Sequence, residues 1–174
     1  MSSAMLVRPI EHHDSESIRA IYNAEVQSST ATLDLRERTN DDQHAWMQEH
    51  CGVYAAIVAV DDELPTRPVI GFASLSPYRP RPGYLSTAEN SVYVREDYRG
   101  RGIGQLLLNE ICAEAVTHGF TSVVAFVGSA NVASIKSHEG CGFVRAGELK
   151  KVARKFSKWI DVIILQNVLG DQPT

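Results

Sequence analysis

Between Ser91 and Gly104 the chain passes from Ser-Val-Tyr-Val, through the charged turn Arg95-Glu96-Asp97-Tyr98-Arg99, into Gly100-Arg101-Gly102-Ile103-Gly104. An apolar strand that breaks directly into a glycine-rich helix start leaves few ways to fold. The strand belongs to a sheet, and the helix behind it packs back onto that sheet. Gly100, Gly102 and Gly104 remove side chains where backbone can approach a ligand closely, and a helix opening at about Gly102 aims its unpaired N–H groups and positive dipole end at that space. Arg99 and Arg101 add full positive charge beside those dipoles. The segment reads as a cradle for a diphosphate.

Two phosphate loops fail on spacing. G-x-G-x-x-G started at Gly102 needs glycine where the chain has Leu107, and G-x-x-x-x-G-K-[ST] started at Gly100 needs glycine where it has Gln105. The pattern that fits is R-x-x-G-x-G, carried by Arg99, Gly102 and Gly104, between a Val-Tyr-Val strand and the amphipathic run Gln105 to Val116. Taken alone, it is also compatible with a glycine-rich turn that merely joins strand to helix. In this setting it resembles the acetyl-CoA site of the Gcn5-related N-acetyltransferases (GNAT). The resemblance implies that acetyl-CoA lies along Val92, Tyr93, Val94, Arg99, Gly100, Arg101, Gly102, Ile103 and Gly104.

With 174 residues and 44% hydrophobic content, the chain can bury a full core as one domain over 1–174. A net charge of −4 argues against general nucleic-acid affinity, which needs clustered Lys and Arg. The first fourteen residues lack a signal-peptide core, and runs such as Tyr54 to Val60 are strand-sized, so no membrane span is expected and a cytoplasmic location is. Cys51, Cys112 and Cys141 are odd in number and share no C-x-x-C spacing, which disfavours a disulfide framework or zinc knuckle. Cys112 falls on an apolar helix face and reads as core. His12-His13, and His44 with His50-Cys51, lack ligand geometry and read as solvated surface; no metal is expected.

Apolar periodicity alternates between strand and helix. Met5 to Ile10 reads as a strand; Asp14 or Ser15 can cap a helix bearing Ile18, Ile21, Tyr22 and Val26; Thr39 or Asn40 can cap a second helix through Glu49. Strands are expected over Val53 to Val60, Val69 to Ser76, Ser86 to Val94, Val123 to Val127, Phe143 to Leu149 and Trp159 to Leu169, with helices over Gly102 to His118 and Asn131 to Glu139. The proline-rich stretch from Pro77 to Gly83 suits neither helix nor ladder. This is an α/β pattern without repeats or linkers. The resemblance makes it one mixed, splayed sheet with helices on both faces.

A second motif runs from Asn131 to Phe143. The family commonly has N-x-x-A-x-x-x-Y-E-x-x-G-F there; Asn131, Glu139, Gly142 and Phe143 match, Ser134 replaces the alanine, and His138 replaces the tyrosine. The resemblance implies that Asn131 bonds the pantetheine arm and that Ser134 lies near the pyrophosphate. On local grounds Asn131 is equally a helix N-cap. His138, the strand Thr87-Ala88-Glu89-Asn90-Ser91-Val92-Tyr93-Val94 and the tail Lys155-Phe156-Ser157-Lys158-Trp159-Ile160-Asp161 resemble the phosphinothricin and methionine sulfoximine acetyltransferase branch, which is typically dimeric. In that branch the strand glutamate is the base and the histidine lies close by, which places those roles on Glu89 and His138.

The chemistry asks for such residues. An α-amine is mostly ammonium at neutral pH and must lose a proton before it attacks a thioester. Partial burial of Glu89 raises its pKa toward a useful range, whereas a solvated strand end does not. His138 suits either base or acid, or is simply a packed helix histidine. N–H groups of Val92 to Val94 can receive the developing oxyanion. Arg79 and Arg81, on a loop stiffened by Pro80 and Pro82, can grip a substrate carboxylate or remain solvated surface. The loop Ser28 to Leu33, with Thr30 and Thr32, can wall the substrate pocket. The basic run Lys150 to Lys158 reads as a solvated face. The expectation is acetylation of the α-amine of a small amino acid or analogue; polyamine, aminoglycoside or protein N-terminal acetylation, and a non-catalytic CoA-binding regulator, are the alternatives. A pocket for polycations should be acidic, and the Arg79/Arg81 loop favours an anion.

Overall fold

The computed structural model describes residues 5–170. In chain order these form β1 (Met5–Pro9), α1 (Ser15–Ser28), α2 (Asn40–Glu49), β2 (Ala56–Asp61), β3 (Val69–Pro77), β4 (Thr87–Val94), α3 (Ile103–Thr117), β5 (Ser122–Gly128), α4 (Val132–Gly140), β6 (Val144–Lys155) and β7 (Lys158–Val168). One seven-stranded sheet runs in the order β1-β2-β3-β4-β5-β7-β6. Neighbouring strands are antiparallel except β4 and β5, which are joined by α3 as a parallel pair requires a crossover.

Helices cover both faces, each through an apolar stripe. On one side Leu107, Leu108, Ile111 and Ala115 of α3 are buried in a cluster with Ile57, Ala73, Leu75, Ala88, Val123 and Ala125. On the other, Ile18, Ile21, Tyr22 and Val26 of α1 pack with Met47 of α2 against Val58, Val60 and Phe72. The alternation of strand residues between faces produces this division. Thr39 caps α2 reciprocally with Asp42, its Oγ1 accepting from Asp42 N at 3.1 Å while Asp42 Oδ2 accepts from Thr39 N at 2.9 Å. Asp14 precedes α1 without capping it; its buried carboxylate takes the Arg8 guanidinium at 2.7 and 2.9 Å and the Glu11 N–H at 2.8 Å.

Two elements differ from the sequence reading by more than two residues at one end. β2 begins at Ala56 rather than Val53, because the residues after α2 turn outward and leave Val53 54% exposed. β6 continues to Lys155 rather than stopping at Leu149. It is an edge strand whose side chains are mostly exposed, so its lysines and arginines cost little there, and an irregularity between Leu149 and Ala153 absorbs the change of register.

The feature that creates a site is the separation of β4 from β5. They pair only at Thr87↔Ser122, Ala88↔Val123 and Glu89↔Val124, after which β4 follows β3 to Val94↔Gly71 and β5 follows β7 to Gly128↔Val162. The sheet is therefore splayed, as the family resemblance implies. Gly71 lets α3 sit close to β3 beside this split. A Cβ there would lie 2.9 Å from the Tyr93 carbonyl oxygen and 3.1 Å from Leu107 Cδ1. Gly71→Ala is expected to destabilise the fold by about 1–3 kcal/mol by overpacking, whereas Gly83→Ala, whose Cβ meets nothing within 4 Å, should leave stability nearly unchanged; chemical denaturation of the two variants reads the difference.

Candidate active site

Two connected cavities occupy the split. The larger, about 650 Å³, lies between the β4 end, the glycine loop and the start of α4. The smaller, about 260 Å³, lies between β4 and β5. Thr30, Ala31, Val92, Tyr93, Asn131 and Ser134 line both, so the space is continuous from glycine loop to strand split.

The larger cavity is built chiefly from backbone. Gly100 and Gly102 have φ of +76° and +81°, and a Cβ at either would meet nothing within 4 Å. Their conformation, rather than crowding, demands glycine, and it turns the chain so that α3 starts facing the cavity. The first bond into this helix is from Leu106 N to Gly102 O; the N–H groups of Ile103, Gly104 and Gln105 precede it and have no intrahelical acceptor. Arg99 lines this cavity, donating from Nε to the Val94 carbonyl at 3.1 Å and pairing through Nη2 with Glu25. Arg101 does not join the lining. Its guanidinium lies 4.7 Å from the Tyr98 ring centroid and donates to the Asp97 carbonyl at 3.1 Å.

On the strand, Arg95 N bonds Ile70 O. By antiparallel alternation Tyr93 and Ser91 also direct their N–H groups to β3, leaving those of Val92 and Val94 toward the split. Tyr93 thus lends only its flank to the cavity. Its ring packs on Tyr22 at 5.3 Å and Phe72 at 5.2 Å. Asn131 is the N-cap of α4, accepting from Ser134 N at 3.2 Å, which leaves its amide nitrogen for a ligand. Together these groups fit acetyl-CoA: free helix N–H groups and a guanidinium for a diphosphate, and an open strand edge for the peptide-like pantetheine arm.

Glu89, Thr30, Thr32 and His138 line the smaller cavity. Glu89 is half-buried and its pKa is raised, chiefly by desolvation, with the nearby Arg79 charge pulling the other way. His138 is 2% exposed. Its Nδ1 donates to the Ser134 carbonyl at 2.8 Å, Nε2 is 3.4 Å from Asn90 Nδ2, and its ring meets Phe143 edge-on at 5.0 Å. Burial lowers its pKa against the raising effect of that Ser134 carbonyl. The result is a neutral ring protonated on Nδ1, with Nε2 facing an amide donor. A ring protonated on Nδ1 keeps its lone pair on Nε2. Strand alternation places Glu89 and Asn90 on opposite faces of β4, so Glu89 and His138 flank the strand from different sides.

Arg79 and Arg81 are exposed and line neither cavity. Arg79 nevertheless sits at the rim: its guanidinium is 5.2 Å from the Tyr78 ring centroid, and Tyr78 stacks on the cavity residue Phe126 at 6.3 Å.

Several residues that shape the site were not singled out from sequence. Tyr22 donates to Asp34 Oδ2 at 2.5 Å and bonds Thr32 Oγ1 at 2.9 Å, while the Arg38 guanidinium lies 3.6 Å from its ring centroid. Lys155 corrects the reading of the basic run as a solvated face. It is 3% exposed and its Nζ donates to the Thr32 carbonyl at 2.8 Å, pinning the loop that bears Thr30 and Thr32. Glu25, 6% exposed, also lines the larger cavity. Its signal was present: Ile18, Ile21, Tyr22, Glu25 and Val26 fall on one stripe of α1. His50 likewise is not solvated surface; it is buried, stacked on Trp46 at 4.1 Å with Nδ1 2.7 Å from the Trp46 carbonyl. Among the described residues no group of three or more His, Cys, Asp or Glu side chains is placed to hold a metal ion.

The geometry agrees with the relatives. Residues 16–143 match the acetyltransferase (GNAT) family. The chain is 36% identical to a phosphinothricin N-acetyltransferase of Alcaligenes faecalis, over 96% of this chain and 84% of that protein. It is 36% identical, over 88% of each, to an L-methionine sulfoximine/L-methionine sulfone acetyltransferase of Pseudomonas aeruginosa. The crystal structure of a phosphinothricin acetyltransferase from Sinorhizobium meliloti in complex with acetyl-CoA superposes with a TM-score of 0.91 at 30% identity, covering 100% of this chain and 94% of that one. A sheet split beside a glycine-rich helix start, in a chain with these relatives, makes this protein a member of the acetyltransferase (GNAT) family, an acyltransferase that takes its acetyl group from acetyl-CoA.

Proposed function

We propose that the protein acetylates the α-amine of a small amino acid or amino-acid analogue of the phosphinothricin, methionine sulfoximine or methionine sulfone type, by direct attack while both substrates are bound. The observation that carries this reading is the continuity of the two cavities, with one half-buried carboxylate, Glu89, facing the smaller. The two curated relatives, named for such substrates, support it.

Acetyl-CoA supplies a thioester, an acetyl group already activated toward an amine. The residues to hold it are those of the glycine loop from Arg99 to Gly104, with the Val92 and Val94 edge and Asn131. Arg101 adds charge from outside the cavity rather than contact. Glu89 takes the proton from the incoming ammonium, directly or through water, because its raised pKa makes it a stronger base than an ordinary carboxylate. The Val92 and Val94 N–H groups are placed to donate to an oxygen that gains charge as the amine attacks. His138, held by Ser134 and Asn90 in the same cavity, is the second catalytic candidate, with the unprotonated Nε2 able to accept a proton directly or through water.

Arg79 or Arg81 receives the substrate carboxylate at the rim. Thr30, Thr32 and the rings of Tyr78 and Phe126 shape the space available to the side chain.

The protein works as a homodimer in the cytoplasm in this reading. β6 is an edge strand, and with its partner β7 it exposes Val144, Val152, Phe156 and Trp159, an apolar surface suited to a second copy. Cys51, Cys112 and Cys141 are all free, which fits a reducing compartment.

Four outcomes are expected. Glu89→Gln should lower kcat by roughly 10²-fold with acetyl-CoA binding intact. In the wild type kcat/KM should fall as pH drops through the raised Glu89 pKa, because only the ionised form is a base, and Arg79→Ala should move that acid limb to higher pH by removing the charge that opposes the shift. A wild-type pH profile in Glu89→Gln would remove Glu89 from proton transfer. In steady-state kinetics over amino acids, their methyl esters and spermidine, the esters should be poor substrates, and alanine at the responsible arginine should raise KM for the free acid roughly ten- to a hundredfold. Acetylation of esters as fast as acids, with KM unmoved in Arg79→Ala and Arg81→Ala, would favour a cationic amine instead. Light scattering should give twice the chain mass, and Trp159→Lys should reduce it to one.

A further inference from the structure

Glu25 is out of place electrostatically. It occupies the buried stripe of α1 and is only 6% exposed, yet it lines the cavity that takes the anionic cofactor. A carboxylate is held in such a position only by partners for its oxygens. Here the two oxygens serve two different loops. Oε1 pairs with Arg99 Nη2 of the glycine loop. Oε2 accepts from Ser29 Oγ at 2.5 Å, and that hydroxyl accepts in turn from Ala31 N at 3.0 Å. Thr30 and Ala31, the residues fixed by this turn, line both cavities. Lys155 ties the same loop from the other side at Thr32, with a longer contact to the Glu25 carbonyl at 3.4 Å.

We propose that Glu25 is a positioning residue for both substrates, its shape ordering the acceptor loop through Ser29 and its charge restraining cofactor affinity by competing with the diphosphate for Arg99. The two effects separate by substitution. Glutamine keeps the size and can still accept from Arg99 while its amide donates to Ser29, so it removes the charge and preserves the loop. Alanine removes both. The inference rests on the reading that the glycine loop holds the diphosphate and that the split takes an amine.

The test is calorimetry with acetyl-CoA and with CoA, alongside steady-state kinetics with an accepted amine. Glu25→Gln should bind both cofactor forms roughly fivefold tighter, as removal of a like charge at this range predicts, with amine KM within about twofold of wild type. Glu25→Ala should raise amine KM about tenfold or more. Ser29→Ala, which leaves the carboxylate in place, should raise amine KM with cofactor Kd unchanged, and it supplies the acceptor arm if Glu25→Ala does not fold. Unchanged or weaker cofactor binding in Glu25→Gln overturns the proposal, as does an unchanged amine KM in both Glu25→Ala and Ser29→Ala. A lowered melting temperature with every Kd and KM unmoved would make the residue structural only. Calorimetry needs no acceptor. A wild type that acetylates none of the amines tested therefore counts against the proposed substrate class, while the cofactor shift in Glu25→Gln still decides the role of Glu25.

Discussion

Every functional feature of this molecule depends on where β4 stops pairing with β5. Three residue pairs join the two strands, whereas each is held to its other neighbour along its whole length. Both strands are therefore held from their far sides, and their divergence is part of the sheet's hydrogen-bonding pattern. Sheet interiors do not ordinarily leave ladder groups without partners. Those of Val92 and Val94 are left facing a cavity, and the helix N-terminus behind Gly102 faces the same cavity. A ligand that is peptide-like at one end and phosphorylated at the other satisfies both sets of groups, and acetyl-CoA is such a molecule.

The charges around the opening are arranged by burial more than by number. The chain is net acidic at −4, so it has no general attraction for anions, and cofactor affinity must come from local dipoles and Arg99. Glu89 and His138 are both pushed toward their neutral forms by desolvation. For a carboxylate this makes a stronger base, and for an imidazole a weaker base that is less readily protonated. The two are therefore not a matched acid–base pair in the ligand-free protein. The Ser134 carbonyl, which accepts the Nδ1 proton of His138, opposes the shift of the imidazole in part and fixes the tautomer, while Asn90 Nδ2 faces the other nitrogen.

Much of the fold was legible in the sequence because the apolar periods of α1, α3 and the central strands are regular and their breaks coincide with glycine, proline or capping residues. The larger cavity was legible for a related reason: it is built chiefly from backbone, and glycine at Gly100 and Gly102 is the sequence trace of backbone in the left-handed region. The acceptor side was harder. Lys155 lies in a basic run of an edge hairpin, where solvation is the ordinary outcome, and only the tertiary return of that hairpin onto the Thr32 carbonyl buries it. His50 was misread similarly, since it lies just past the end of α2 and its burial depends on stacking with Trp46 one turn back. Arg101 was included on charge and spacing alone. The turn of the chain at Gly102 sends it to Tyr98 instead.

This contrast bears on how such a protein acquires its substrate. A donor site made of N–H groups tolerates many side-chain changes, because most substitutions leave the backbone where it was. The acceptor cavity is walled by side chains from separate elements, including Thr32 from the α1–α2 loop, Glu89 from β4, Phe126 from β5 and His138 from α4. Under the proposed function, a single change in any one would alter its shape or polarity while leaving the glycine-loop cavity intact. The loop that carries Thr30 and Thr32 is the exception, because it touches both cavities and is pinned by Glu25 and Lys155. A substitution on this loop can reach either cavity, and under the proposed role of Glu25 the charged groups that fix the loop bear on both substrates.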